Sequence, residues 1–345
     1  MKKHFLLPAT VAGVGAILAV GCLANNPVPI PPKAAQDLVA YKTTVPPTLD
    51  GKLGEDAWTK AEAATLKVYG GDNESAQTVV MKALYDAEYA YFGIEVPDQT
   101  KSIRRMPYVK GADGNWTKVK ASEDYEDKFA VLWDMGVEGF KEQGCAVTCH
   151  LSTPGRDRAL MYTGNPGEKV DMWHVKNGRN AVLGYIDDQY TDNDTTSASG
   201  GRKTDPTSSG KAYADIPLKE VDGKQVPDFT AAAEALTGDK KWVIDLRDTA
   251  TTSVDNSQYA AGDELPSIAV DAYAGDSADL SGKFVYDEAG KKWIYEFKRK
   301  LDTGSENDVQ WTDLKKSYAF GVAIFDNTQI GHGTQKDVSF LTFKE

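Results

Sequence analysis

Short runs in which apolar and polar residues alternate recur along the chain, with turn residues between them. Residues 78–85 and 89–96 are two such runs on either side of a short polar turn, and this pattern predicts a β-hairpin. Four more strand-like runs follow, at residues 129–134, 292–298, 318–325 and 338–343. Many short strands separated by turns are typical of a β-sandwich or β-barrel, so the chain is predicted to be mainly β.

The middle of the chain has a different pattern. Strand signals nearly vanish between residues 144 and 230, and residues 191–210 are almost wholly Asp, Asn, Thr, Ser and Gly. Such long loops are uncommon in compact domains and are often functional. We therefore predict a sandwich domain at residues 41–345, interrupted by a loop-rich insertion at residues 143–230. An alanine-rich run at residues 231–236 predicts a short helical turn.

The N-terminus has the pattern of an export signal. Two lysines follow Met1, and an apolar stretch at residues 5–20 leads to Gly21 and Cys22. The run from Ala19 to Cys22 resembles a bacterial lipobox, in which the cysteine becomes the lipidated first residue of the mature protein. A plain cleaved signal and an uncleaved membrane anchor are the alternatives. Each of the three places the remaining chain outside the cytoplasm.

A proline-rich segment follows Cys22. Four of the six residues from Pro27 to Pro32 are proline, which makes an extended, semi-rigid spacer. We predict a signal peptide at residues 1–21 and a lipidated cysteine with its tether at residues 22–40. The protein is then periplasmic or on the cell surface, held by lipid on a bacterial membrane.

Composition narrows the range of partners. The chain of 345 residues carries a formal net charge of −12. An acidic surface disfavours nucleic acids and anionic lipid headgroups and suits basic redox partner proteins, although a solvated acidic face is the more common explanation. The sequence contains no nucleophile elbow, phosphate-binding loop or dinucleotide fingerprint, so no catalytic residue is predicted.

The segment from Cys145 to His150 is the chemically most informative part of the sequence. Its pattern is C-x-x-x-C-H, one residue longer than the usual c-type haem attachment motif C-x-x-C-H. In that motif two thioether bonds fix the macrocycle and the adjoining histidine binds the iron. We predict covalent haem through Cys145 and Cys149. The alternatives are a strained local disulfide and a zinc site completed by oxygen ligands.

Candidates for the two axial positions are few. His150 is the proximal choice because it adjoins Cys149. His174 is predicted as the second ligand, with Trp173 packing on the macrocycle. The alternative ligands are His332, Met106, Met172 and Met161. A second, non-covalent haem between Met106 and His332 is a further alternative.

Two other groups of residues have weaker signals. Four acidic residues could supply oxygen ligands to Ca²⁺, although a solvated acidic loop is the more common outcome; they are Asp187, Asp188, Asp192 and Asp194. Trp58 and Trp293 could form a sugar-binding platform, but their surroundings are more typical of core residues.

The chain also resembles known proteins. The run Leu49-Asp50-Gly51-Lys52-Leu53-Gly54-Glu55-Asp56-Ala57-Trp58 resembles the start of family 9 carbohydrate-binding modules. Other segments resemble the haem-binding subunit of ethylbenzene dehydrogenase and related periplasmic molybdenum enzymes of the DMSO reductase class: 125–130, 144–150, 171–174, 187–190, 299–304 and 325–327. The resemblance implies an immunoglobulin-like or jelly-roll β-sandwich that holds haem near one end and transfers electrons.

The resemblance also marks a difference. In the ethylbenzene dehydrogenase subunit the haem is non-covalent and has Met and Lys ligands, whereas this chain has the cysteine pair, which favours covalent haem. The predicted function is therefore that of an exported c-type cytochrome lipoprotein that exchanges electrons with a redox partner. The alternatives are a cell-surface carbohydrate-binding module with a structural disulfide, and a non-catalytic haem subunit of a larger molybdenum oxidoreductase.

Overall fold

A computed structural model describes residues 37–72, 76–156, 158–206, 213–228, 230–231, 236–246, 251–252, 254–270 and 275–345. The predicted signal, Cys22 and nearly all of the tether lie outside these residues, as does most of the predicted helical turn at 231–236. Within the described part, no helix is long and apolar enough to cross a membrane.

Strands account for most of the regular structure. In chain order they are β1 Leu38–Lys42, β2 Ala64–Gly70, β3 Ala76–Tyr85, β4 Tyr89–Pro97, β5 Tyr108–Lys110, β6 Trp116–Lys118, β7 Lys128–Asp134, β8 Cys149–His150, β9 Leu160–Met161, β10 Val170–Lys176, β11 Asp187–Thr191, β12 Arg202–Thr204, β13 Tyr213–Asp215, β14 Leu218–Val221, β15 Lys224–Pro227, β16 Thr230–Ala231, β17 Ile244–Asp245, β18 Thr251–Thr252, β19 Glu264–Leu265, β20 Ile268–Val270, β21 Ser281–Asp287, β22 Lys292–Lys300, β23 Tyr318–Phe325, β24 Gly333–Gln335 and β25 Ser339–Lys344.

Helices are few and short. The α-helices are α1 Asp56–Thr59 and α2 Phe140–Gln143, and the 3₁₀ helices span Gly144–Thr148, Ala181–Leu183, Gly238–Trp242, Asn256–Gln258 and Gly275–Ala278. All six strand-like runs identified in the sequence are strands, and the prediction of a mainly β sandwich is confirmed.

One large sheet folds over to form the sandwich. Its strand order is β12-β11-β10-β7-β23-β24-β2-β3-β4-β22-β21, and β1 and β25 make a second connection between β3 and β23. Aromatic rings from the two halves meet in the core: Phe92 of β4 lies 6.2 Å from Trp133 of β7 and 5.4 Å from Trp173 of β10. Burial of these large rings supplies much of the hydrophobic stabilisation.

The predicted loop-rich insertion needs a correction in its middle. Residues 143–230 contain β10 and β11, which pair with each other and join the main sheet beside β7. All seven residues of β10 are buried. The sequence pattern did not predict this strand, because polar and apolar residues are buried together on both of its faces.

Alternation along β10 sorts its side chains between two environments. Trp173 and Val175 belong to the sandwich core, whereas Val170 and Met172 belong to a separate apolar cluster. Because neighbouring side chains on a strand point to opposite faces, His174 lies on the same side as Met172. We use "outer face" for this surface of β7, β10 and β23, which points away from the sandwich core.

Candidate functional site

The Cys145–His150 segment begins at a sharp bend after α2. Gly144 has a φ of 62°, a conformation that glycine adopts readily, and it starts the 3₁₀ helix that carries Cys145. The hydroxyl of Thr148 donates to the Cys145 carbonyl at 2.9 Å and helps to close this turn. Cys145 is buried and Cys149 is half-buried, and the structure does not join them by a disulfide.

Cys145 packs directly on the outer face. It shares an apolar cluster with Leu132 of β7 and Met172 of β10. A Cβ atom built on Gly321 of β23 would lie 3.7 Å from the Cys145 sulfur. The Cys145–His150 segment therefore lies on the same surface as His174, the predicted second axial ligand, and Met172, one of its alternatives.

His150 lies on the short strand β8, which pairs with β9. Its ring stacks on Tyr162, with centroids 3.6 Å apart and an interplanar angle of 10°. Its Nε2 atom lies 3.1 Å from the Tyr162 carbonyl oxygen. Iron ligation through Nε2 would therefore require the ring to turn away from this carbonyl.

His174 occupies the next outward position after Met172. It is 4 % exposed, and neither ring nitrogen has a hydrogen-bond partner in the described structure. Burial, followed by the positive charges of Lys176 and Lys128, holds the pKa of His174 well below its usual value. The imidazole is therefore neutral at physiological pH, as a metal-ligating histidine must be.

Three small residues lie on the outer face near Met172 and His174. Opposite His174, Ala130 of β7 is followed across the sheet by Ala323 of β23. Gly321 takes the corresponding position in the adjacent row, beyond the partner of Met172. Small residues therefore occupy part of the outer face between the cysteine motif and His174, with the Leu132 side chain among them.

The structure corrects the role predicted for Trp173. This side chain is 1 % exposed in the sandwich core, with its ring 5.0 Å from that of Trp133. Strand alternation places it on the face away from Met172 and His174, so it cannot pack on a macrocycle held there.

His332 approaches the same end of the outer face from the loop between β23 and β24. Its ring centroid lies 4.6 Å from that of Phe325, and its Nδ1 atom is 2.7 Å from the Ile330 carbonyl oxygen. Met106 lies between β4 and β5 with a left-handed φ of 46°. No measured contact in the structure joins Met106 to His332.

Lys128 is a residue of this site that the sequence analysis missed. Its side chain is buried beside the outer face and donates to the Gln329 carbonyl at 2.9 Å. The ammonium also lies over the rings of Phe325, at 4.0 Å, and Tyr125, at 4.9 Å. Burial, then the nearby Arg179 charge, lowers the Lys128 pKa well below its usual value. The alternation of side chains along β7 could have predicted that Lys128 shares a face with Ala130, but it could not have predicted that His174 lies nearby.

The four acidic residues considered as Ca²⁺ ligands do not come together. Asp187 pairs with Lys176, and Asp192 and Asp194 pair with Lys203 at the surface. Asp188 alone points into the sandwich, where its carboxylate lies with those of two residues that the sequence analysis did not group with it, Asp171 and Asp308.

The zinc alternative finds no support in the donor geometry. Three groups of at least three convergent His, Cys, Asp or Glu side chains occur in the described structure, and all three consist of aspartates. Cys145, Cys149 and His150 are not members of any of them.

The two tryptophans considered as a sugar platform are core residues. Trp58 is fully buried and its indole N–H donates to Glu296 at 2.7 Å. Trp293 is 4 % exposed and donates to Asp127 at 3.1 Å. The interpretation of both as core residues is confirmed, and neither presents a ring face to solvent.

Comparison with known proteins identifies one family. The family model described as ethylbenzene dehydrogenase matches residues 55–337. Among solved structures, a family 9 carbohydrate-binding module from Caldicellulosiruptor kristjanssonii in complex with cellotriose covers 90% of this chain and 95% of its own, at 8% identity and a TM-score of 0.32. The same module with glucose covers 89% and 95%, at 8% identity and a TM-score of 0.31. No curated protein matches the chain.

Proposed function

Because the chain belongs to the ethylbenzene dehydrogenase family, we propose that it is an exported electron-transfer protein carrying one haem bound covalently through Cys145 and Cys149. Its association with an oxidoreductase complex follows from the family. The covalent attachment is this chain's own feature, because it depends on the cysteine pair.

One observation supports the proposal most strongly. The cysteine motif packs on the outer face beside Gly321, and the same face carries the small residues Ala323 and Ala130 and a buried imidazole whose two nitrogens have no partner in the described structure. Small residues would let a macrocycle approach the sheet, and an iron ligand must offer a neutral nitrogen.

The roles of the residues follow from their positions. Cys145 and Cys149 would form the thioether bonds. His150 would supply the proximal nitrogen once its ring turns away from the Tyr162 carbonyl, and His174 would supply the second axial nitrogen. Lys128 is buried close by, so its amine would lie near a bound group. Haem would supply a one-electron carrier, and two protein ligands would suit electron transfer better than ligand binding at an open position.

The net charge and the N-terminal sequence support a proposal for the partner and the location. The partner is a redox protein, either a periplasmic oxidoreductase or another cytochrome, and the acidic surface favours a basic docking face on it. Cys22 would hold the protein by lipid on a bacterial membrane, with the proline-rich tether as spacer. The protein itself would carry electrons rather than catalyse a reaction.

Intact-mass measurement tests the proposal. The mature protein, made in a bacterial host with haem-attachment machinery, should carry one haem that survives denaturing electrophoresis. The Cys145→Ser/Cys149→Ser variant should lose it, whereas Asp222→Asn, an exposed turn substitution, should keep it. A wild-type mass that shows only a disulfide would reject covalent haem and leave the carbohydrate-binding alternative, which a sugar-affinity assay would then examine.

A further inference from the structure

Three aspartates converge inside the sandwich, on the side away from the proposed haem. Asp171 of β10 and Asp188 of β11 point inward from neighbouring strands, and Asp308 comes from the loop between β22 and β23. One carboxylate oxygen of each lies within 4.8 Å of the others. Asp171 and Asp188 are 0 % exposed and Asp308 is 2 % exposed.

Only some of the carboxylate oxygens of these three aspartates accept hydrogen bonds from the protein. The Oδ2 atom of Asp171 accepts from the Val309 amide at 3.1 Å, and that of Asp308 accepts from the Thr303 hydroxyl at 2.6 Å. In the described structure the other oxygen of Asp308 and both oxygens of Asp188 have no hydrogen-bond partner. Three buried carboxylate oxygens are therefore unpartnered there, and Asp188 contributes two of them.

The local charge is also unbalanced. Arg299 is the guanidinium in the cluster, 3.1 Å from Asp308 and 3.6 Å from Asp171. Three buried carboxylates therefore share one guanidinium. A buried ion is unfavourable unless a counter-charge lies beside it, so a cation between these carboxylates would be stabilising.

We propose that Asp171, Asp188 and Asp308 bind one calcium ion within the sandwich. Calcium is a hard cation that takes 6–8 oxygen ligands in irregular geometry, which suits an all-carboxylate set from three separate segments. The ion would join β10, β11 and the loop before β23, and would neutralise charge that Arg299 cannot balance alone. This site is independent of the proposed haem and its cysteines.

Thermal unfolding with and without calcium tests the proposal on the purified full chain. After dialysis against a chelator, added CaCl₂ should raise the Tm of the wild-type protein by about 5 °C or more, as expected for a ligand that binds only the folded state. Elemental analysis after dialysis against micromolar calcium should find one calcium per chain. No Tm change together with no retained calcium would overturn the proposal, and equal stabilisation by MgCl₂ would overturn the choice of ion.

Matched variants identify the ligands. Asp188→Asn keeps the side-chain shape and removes one buried charge, so its Tm in chelator should equal or exceed that of the wild type, while its calcium affinity should fall at least tenfold. Asp194→Asn, in the polar loop, should behave like the wild type in both conditions. A calcium response retained by Asp188→Asn and lost by Asp194→Asn would place the ion in the loop instead. If Asp188→Asn does not fold, Asp308→Asn provides the same comparison.

Discussion

The imidazole rings of His174 and His332 both pack against Phe325, at centroid distances of 5.4 and 4.6 Å. His174 comes from a central strand and His332 from the loop that follows β23. The two rival candidates for the second axial position therefore reach the same end of the outer face. Their surroundings differ, because within the described residues the nitrogens of His174 have no partner, whereas Nδ1 of His332 lies 2.7 Å from a backbone carbonyl oxygen.

Single substitutions should separate these candidates. His174→Ala is expected to convert a six-coordinate, low-spin haem to a high-spin form, because it removes the axial nitrogen. His332→Ala is expected to keep the low-spin absorption spectrum. Met172→Ala should also keep it, and wild-type protein should show no sulfur-to-iron charge-transfer band. A high-spin spectrum for His332→Ala with an unchanged one for His174→Ala would assign the ligand to His332.

The size of residue 321 should control haem attachment. A Cβ at Gly321 would make ordinary contact with Cys145, so Gly321→Ala should attach haem as the wild type does. Compared with Gly321→Ala, Gly321→Val adds two methyl groups, which would displace Cys145 or crowd the outer face beside it. We expect its haem-to-protein ratio to fall at least twofold, measured by absorbance. Full attachment in Gly321→Val would mean that the haem does not lie on this part of the outer face.

The sequence pattern located strands that alternate or that are apolar on both faces, and it failed on β10. In that strand Asp171, His174 and Lys176 are as fully buried as Trp173. Arg299 contacts Asp171, and Asp187 pairs with Lys176, so charge pairing replaces apolar patterning. Hydrophobic periodicity reports which face avoids water, and it contains no information about partners that come from distant strands.

The candidate site was predictable only where its residues adjoin in sequence. Cys145, Cys149 and His150 could be grouped from their spacing. Gly321 lies next to Cys145 only because β23 belongs to the same sheet surface. Asp308, in a loop more than 100 residues further along the chain, lies next to Asp188. Neither contact could be predicted without the fold. The four acidic residues that include Asp188 were grouped because they are close in sequence, and the structure separates them.

The buried pair of Trp58 and Glu296 should stabilise the start of the domain. Glu296 accepts from the Trp58 indole and from the amides of Asp50 and Gly51. Trp58→Phe removes one donor to a buried carboxylate and should cost about 1–3 kcal/mol beyond the loss of ring area. Trp133→Phe is the control, because that indole N–H has no partner in the described structure. Equal losses in urea unfolding would show that this hydrogen bond contributes nothing.

The lipid anchor can be tested independently of the described residues. Cys22→Ser removes the thiol that would carry lipid, so the protein should move from the membrane fraction to the soluble fraction or accumulate as unprocessed precursor. Fractionation followed by immunoblotting measures both outcomes, and Cys145→Ser serves as the control that should stay on the membrane. Normal processing and membrane association of Cys22→Ser would point to a different anchor.

Asp98, Asp127 and Asp326 form a second cluster of buried or half-buried aspartates. Because of this cluster, the free energy of unfolding should fall as the pH rises. Burial, then the negative charge of Asp98, raises the pKa of Asp127 to about 9. An unfolded aspartate titrates near ~3.9, so between these two values the folded state binds more protons than the unfolded state. The stabilisation that protonated Asp127 provides is complete below the lower value and is lost as the pH rises toward 9.

Melting curves at pH 6 and pH 9, at fixed calcium, measure this effect. The wild-type Tm should be lower at pH 9. Asp98→Asn removes the charge that repels Asp127, so its Tm should fall less over the same interval, although the contribution of burial remains. Asp222→Asn changes an exposed aspartate with a left-handed φ of 50°, which asparagine tolerates, and should keep the wild-type dependence. If Asp98→Asn loses as much Tm as Asp222→Asn does, repulsion between Asp98 and Asp127 does not set the pH response.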